Sequence, residues 1–232
     1  MPSVRLDKAN SSPPSEVVSH YLEAIYYMQA EGEIVRSARL ADWLSVSRPT
    51  VTVGLRRMAR DGMVRLNSRK EIELTRRGER SAAAIVRRHR IMERWLTDGL
   101  GLDWVTADEE AARLEHAVSQ VVEDRVYKLL GNPTTCPHGN AIPGYATPRR
   151  DERPLSVLRA GETGIITRIS EVAQREAPPL LQYLHQRRLV PRARVRIVEV
   201  DEVGRTVRLR AGDRELTLSA ETASKIWVAP LR

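Results

Sequence analysis

Between residues 37 and 75 the chain sets down two short amphipathic helices and an alternating hairpin with almost no spare residues, and that order leaves few folds open. SARLADWL at 37–44 has helical spacing, SVS at 45–47 is a turn, and PTVTVGLRRMARDG places Pro49 in a helical first turn and Gly62 at its stop. Two helices joined by so tight a turn form a helix-turn-helix. MVRLNSRKEIELT then alternates apolar and polar residues on either side of residues 67–70, the pattern of a two-stranded wing. Ahead of this unit, residues 15–30 predict a first helix, with Ser15 as N-cap, Val18, Leu22, Ile25 and Gln29 along one face, and an end near Gly32.

The same block is basic. Residues 36–77 hold 11 Lys or Arg against 4 Asp or Glu, a net of +7 in a chain whose total is +8. Such concentration is the electrostatic footprint of a phosphate-backbone binder. The helix over 49–60 is expected to enter a major groove by its N-terminal end, presenting Ser47, Arg48, Pro49, Thr50, Thr52 and Val53 to base edges, with Thr50 foremost. Arg39, Arg56, Arg57, Arg60, Arg69 and Lys70 then meet phosphates and make affinity depend on salt. A helix-turn-helix used for protein contacts is the alternative.

At 232 residues the chain has room for two or three small domains. A hydrophobic fraction of 41% and a charged fraction of 29% are those of a globular protein, and no segment is apolar enough to span a membrane. Residues 1–14 hold no apolar run suited to a secretory signal and Cys136 is the single cysteine, so a cytoplasmic location without disulfides is expected.

Beyond the wing, polar residues interrupt apolar stripes. A long helix over 78–98 carries Ala82, Ile85, Met92 and Leu96 on its core stripe, and His89 and Glu93 fall inside it, four residues apart and able to share a ligand. Residues 109–125 read as a further continuous helix with a stripe through Ala111, Leu114, Val118, Val121, Val122 and, beyond them, Leu129. Glu115 lies inside that stripe, where an unpaired carboxylate costs several kcal/mol, with His116 at its edge and Asp108 and Ala112 on the same side. The first helix adds His20 and Glu23, three apart. Imidazole and carboxylate sets on three helices suit a divalent cation of the Mn, Fe, Co or Zn group; an interlocked Glu and His network holding a dimer is the alternative. No zinc-protease, phosphate-loop or nucleophile-elbow motif accompanies them.

Residues 141–154, with three prolines and mixed charge, read as an exposed linker. From residue 155 onward come about five short strands, with turns at 202–205 and 212–214 and one short helix in PPLLQYLHQRRL, which suit a small SH3-like barrel. The fold expected is therefore mainly α with a small β part. It divides into a winged helix-turn-helix (1–78), a helical dimerisation and metal-binding domain (79–140), the linker, and an SH3-like β-barrel (155–232).

RHRIMERWL, the Glu-His pair in RLEHAVSQVVEDR and CPHGNAIPG at 136–144 give the chain a resemblance, over nearly its whole length, to the diphtheria toxin repressor family of metal-dependent transcriptional repressors. The resemblance implies an ancillary metal site of His89, Glu93 and Asp108, joined by Glu171 and Gln174 from the C-terminal domain, and a primary site of Glu115, His116, His20 and Glu23. Ala112 departs from the family, which uses Cys or Glu there. With Met and Cys absent from these sets, oxygen and imidazole ligands favour Mn²⁺, with Fe²⁺ as the alternative. Cys136 and His138 receive no ligand role and are expected to form a turn packed on the dimerisation domain. The function implied is a homodimer that a cation activates to bind double-stranded operator DNA and control metal-uptake genes. Its rivals are a metal-independent winged-helix regulator and a metalloenzyme with Glu115 as general base.

Overall fold

The computed structural model describes residues 14–231; residues 1–13 and 232, and the side chains of residues 174–176 and 178, lie outside the described residues. Helix α1 (Glu16–Ala30) is followed by α2 (Ser37–Leu44) and α3 (Arg48–Arg60). Ser15 has the extended backbone of an N-cap but makes no side-chain cap bond, contrary to expectation; Glu16 supplies first-turn negative charge instead. The turn between α2 and α3 passes through Ser45 in a left-handed conformation, φ 54°. Leu22, Ile25 and Met28 of α1 pack on Leu40, Val51, Leu55 and Met58 to form the first core. The wing is the antiparallel pair β1 (Val64–Leu66) and β2 (Ile72–Leu74).

Helix α4 (Arg76–Leu100) starts with Thr75 accepting from the Gly78 N–H. Gly78 lets it begin hard against the wing, since a Cβ there would lie 1.9 Å from the Met63 carbonyl oxygen. The continuous helix expected over 109–125 is instead two: α5 (Trp104–Leu114) and α6 (Gln120–Leu129). Ser119 accepts from the Val122 N–H, and this cap starts a new helix where apolar periodicity alone runs on. The break also rotates the expected stripe, leaving Val121, Val122 and Leu129 exposed on the subunit.

The linker expectation needs correction over its first residues, because Ile142 is fully buried in the second core with Ile91, Met92 and Leu96. The third unit comprises β3 (Arg153–Pro154), β4 (Thr163–Ile169), α7 (Glu171–Glu176), α8 (Pro178–Gln186), β5 (Arg194–Asp201), β6 (Thr206–Ala211), β7 (Arg214–Ser219), α9 (Ala220–Ser224) and β8 (Ile226–Pro230). Its six-stranded antiparallel sheet runs β3-β8-β4-β5-β6-β7, with irregularities in β4 and β5 that bend the strands. Trp104 of α5 belongs to the core of this unit, so the sheet is seated on the helical middle of the chain.

Candidate metal centre and nucleic-acid face

Helices α1, α4 and α5 meet around a cavity of about 230 Å³ lined by His20, Glu23, His89, Glu93, Asp108, Glu115 and Glu171, with Ala112 on its wall. The partner of buried Glu115 is His89, whose Nδ1 lies 2.8 Å from Glu115 Oε2 while its Nε2 lies 3.3 Å from Asp108 Oδ1. Glu115 sits at the C-cap of α5, and Arg88 fixes the turn by donating to the Glu115 carbonyl at 2.8 Å. Arg87 and Arg88 also share the fully buried Glu123 carboxylate of α6, so α6 is bound to α4 directly beside the site.

Electrostatics mark the cavity as short of positive charge. Burial, and then the charge of Glu115, push the Glu23 carboxyl well above its ordinary range. Burial opposes protonation of His89, but hydrogen bonds and charges from Asp108 and Glu115 outweigh it and hold the imidazole well above its ordinary value. Both groups thus hold a proton more tightly than usual, a response to the surrounding acids that a bound cation would relieve by neutralising them. Ligand atoms of Glu23, His89 and Glu115 lie within 4.8 Å of one another, and so do those of His89, Glu93 and Asp108.

This grouping divides the expected sets differently. Glu23 joins His89 and Glu115, whereas His20 turns to His116, with ring centroids 5.4 Å apart and Glu16 alongside. Glu171 lines the cavity, but its Oε1 accepts from Arg90 Nε at 2.9 Å, and burial raises its pKa despite that guanidinium. The expected ligand Gln174 lies outside the described residues. Cys136 and His138, assigned no ligand role from sequence, are buried against Glu93, with His138 Nδ1 2.6 Å from Glu93 Oε1. Neither atom, nor His138 Nε2, makes an aligned hydrogen bond among the described residues, and one ligand atom each from Glu93, Cys136 and His138 lies within 4.8 Å of the others, a grouping that could hold a cation. Their turn is a turn as expected, but it lies on the third unit: the Ile169 N–H donates to the His138 carbonyl, and Gly139, φ 89°, has no room for a Cβ beside the Thr167 carbonyl. Spacing in CPHG was the available signal, since Cys and His two apart at a tight turn can bring a thiol and an imidazole together.

In the helix-turn-helix, α3 begins with Ser47 accepting from the Thr50 N–H while the two hydroxyls lie 2.8 Å apart. Arg48, Pro49, Thr50, Thr52 and Val53 are all exposed there, although Thr52 also donates to the Arg48 carbonyl. Arg56, Arg57, Arg60, Arg69 and Lys70 are exposed as well, the last at the left-handed tip of the wing. Arg39 differs: it is half-buried, paired with Glu33 at 3.0 Å and set over the Trp43 ring.

Residues 15–72 match the family described as "Iron dependent repressor, N-terminal DNA binding domain", residues 75–144 match "Iron dependent repressor, metal binding and dimerisation domain", and residues 153–230 match the FeoA domain. The chain is 36% identical over 219 residues to the iron-dependent repressor IdeR of Mycobacterium leprae, covering 90% of this chain and 94% of that one. It is 43% identical over 124 residues to the diphtheria toxin repressor of Corynebacterium diphtheriae, covering 53% and 55%. Among solved structures it is similar to a manganese-dependent transcriptional repressor in complex with manganese, with a TM-score of 0.83, 32% identity, and coverage of 92% of this chain and 100% of that one.

Proposed function

The chain belongs to the iron-dependent repressor family, that of the diphtheria toxin repressor, and from that premise we propose that Mn²⁺, with Fe²⁺ as the alternative, switches a homodimer onto a palindromic operator of metal-uptake genes. The chain is a metal-dependent transcriptional repressor and not an enzyme. The observation that carries the finer reading is the convergence of Glu23, His89 and Glu115 from three helices on one buried cavity. Carboxylate oxygens outnumber imidazoles there, which favours Mn²⁺.

When bound, a divalent cation supplies the positive charge that this acidic pocket lacks. His89, Asp108 and Glu115 present the dimerisation unit's share of the ligands, with Glu93, Cys136 and His138 as an adjoining group. Glu23 brings the carboxyl of α1. Because α1 packs Leu22, Ile25 and Met28 into the helix-turn-helix core, whatever fixes Glu23 also fixes the attitude of α2 and α3. In a homodimer this sets the separation of two α3 helices, which successive major grooves require to be about 34 Å. Ser47, Arg48, Pro49, Thr50, Thr52 and Val53 then face bases, and Arg56, Arg57, Arg60, Arg69 and Lys70 face phosphates; Arg39 contributes by holding α2 to the loop at Glu33.

Fluorescence anisotropy of labelled operator DNA tests this. Affinity is expected to rise at least tenfold on adding Mn²⁺, about 1.4 kcal/mol of coupling. Equal affinity with Mn²⁺ and after chelation overturns the switch.

A further inference from the structure

The inner cavity, framed by α1, α4 and α5, takes part of its wall from the reading head itself. Trp43 and Leu44, at the end of α2, line it beside His20, Glu23, His89 and Glu115, although neither side chain offers a cation ligand. Trp43 is half-buried and packs against the first core as well. Arg39, one turn earlier on α2, stands over the ring at 5.6 Å and pairs with Glu33 at 3.0 Å, so the indole is steadied from the segment that follows α1. Only residues 45–47 separate α2 from α3, with Ser45 left-handed, and a turn that short passes a shift of α2 on to α3.

We propose that Trp43 is a positioning residue that senses the filling of the cavity and passes it to α2 and α3, beside the path through Glu23 and α1. This rests on the reading of the protein as cation-switched and adds a second contact between switch and reading head. A cavity of about 230 Å³ has room for several waters at about 30 Å³ each. An indole bordering such a space lacks close-packed neighbours on that side, and each missing contact forfeits dispersion energy. When Glu23, His89 and Glu115 draw in around a cation, the wall recovers packing only if the ring follows them inward. Arg39 and the first core tie the ring to α2, so α2 moves with it.

The test uses the full chain, Mn²⁺ alone as the cation, and a duplex selected from random DNA by the Mn²⁺-loaded protein. Tryptophan emission is expected to change on Mn²⁺ addition, and Trp43→Phe should remove most of that change although Trp95, Trp104 and Trp227 remain. In anisotropy titrations Trp43→Leu, which keeps apolar bulk against the core, should lower duplex affinity at saturating Mn²⁺ at least about fivefold and leave affinity without cation within about twofold. Calorimetry fixes the saturating concentration for each variant. Trp43→Phe should restore most of the loss, since a flat ring refills the wall. An equal loss with and without Mn²⁺ in Trp43→Leu, or an emission change that survives in Trp43→Phe, overturns the role of Trp43 and leaves the cation switch standing. A wild-type chain whose duplex affinity ignores Mn²⁺ overturns both.

Discussion

At the scale of single residues, the acids and His89 around the inner cavity make stability and cation binding respond to pH in opposite directions. Folding raises the pKa of His89 above 6.5 and that of Glu23 above 4.5, so both groups hold a proton more tightly in the folded chain. The contribution of His89 is fully present below its unfolded pKa and is lost as pH climbs through the raised one. Glu23 increasingly disfavours the fold once the unfolded chain begins to ionise. The cation-free protein is therefore expected to lose melting temperature as pH rises above the ordinary values of 4.5 for Glu23 and 6.5 for His89, while the increment from added Mn²⁺ grows because binding displaces their protons. Thermal melts across these values, with and without Mn²⁺, check it; an increment that shrinks as pH rises contradicts it. Glu115 was legible as a residue in need of a partner, because an acid inside an apolar stripe is costly wherever the helix packs. That its partner is His89 was not, since 26 residues and a helix reversal separate the two.

At the scale of elements, the helix-turn-helix and wing were readable nearly to the residue, because caps, turn residues and two different periodicities all agree over 37–74. The middle of the chain was not. Apolar spacing runs through residues 111–129 without a visible fault, yet the cap at Ser119 divides it, and on either side of the break Glu115 and Glu123 pair with His89, Arg87 and Arg88 of α4. The consequence is an apolar edge on α6 that the subunit does not cover: Val121 is 70%, Val122 47% and Leu129 77% exposed. The family's middle domain is a dimerisation domain, and an uncovered apolar edge on it is a surface suited to self-association, which a substitution tests. Leu129→Asp is expected to weaken self-association at least tenfold with little change in subunit stability, because the side chain is already in water. Sedimentation equilibrium reads the first and thermal melting the second; a dimer of unchanged strength places the contact elsewhere.

For the whole molecule, the third unit is tied to α1 as well as to α5. Glu31, just past the end of α1, accepts from the Ser170 hydroxyl at 2.6 Å and the Glu171 N–H at 2.8 Å, and pairs with Arg168 at 3.4 Å. Arg90 of α4 meets Glu171 from the other side. No sequence signal announces these contacts, since they join residues 81 to 140 apart and depend on how three cores stack. They do carry a mechanical implication. The first turns of α1 meet His116, its middle meets His89 and Glu115, and its far end meets the sheet unit, so the helix is held at three points, the third reaching Glu171 through its backbone N–H and not through its carboxylate. Removing the third leaves more of the ordering of α1 to the cation. Glu31→Ala should cost about 1–3 kcal/mol of stability, the usual loss for charged, largely buried hydrogen bonds. It should also raise the Mn²⁺ concentration needed for half-maximal operator binding severalfold, while affinity at saturating Mn²⁺ stays near wild type, because Glu31 touches neither α3 nor the wing. Anisotropy titrations at fixed protein and increasing Mn²⁺ separate the two quantities. If the half-maximal concentration does not move, the sheet unit rests on α1 without steadying it, and control of the reading heads belongs to the cavity alone.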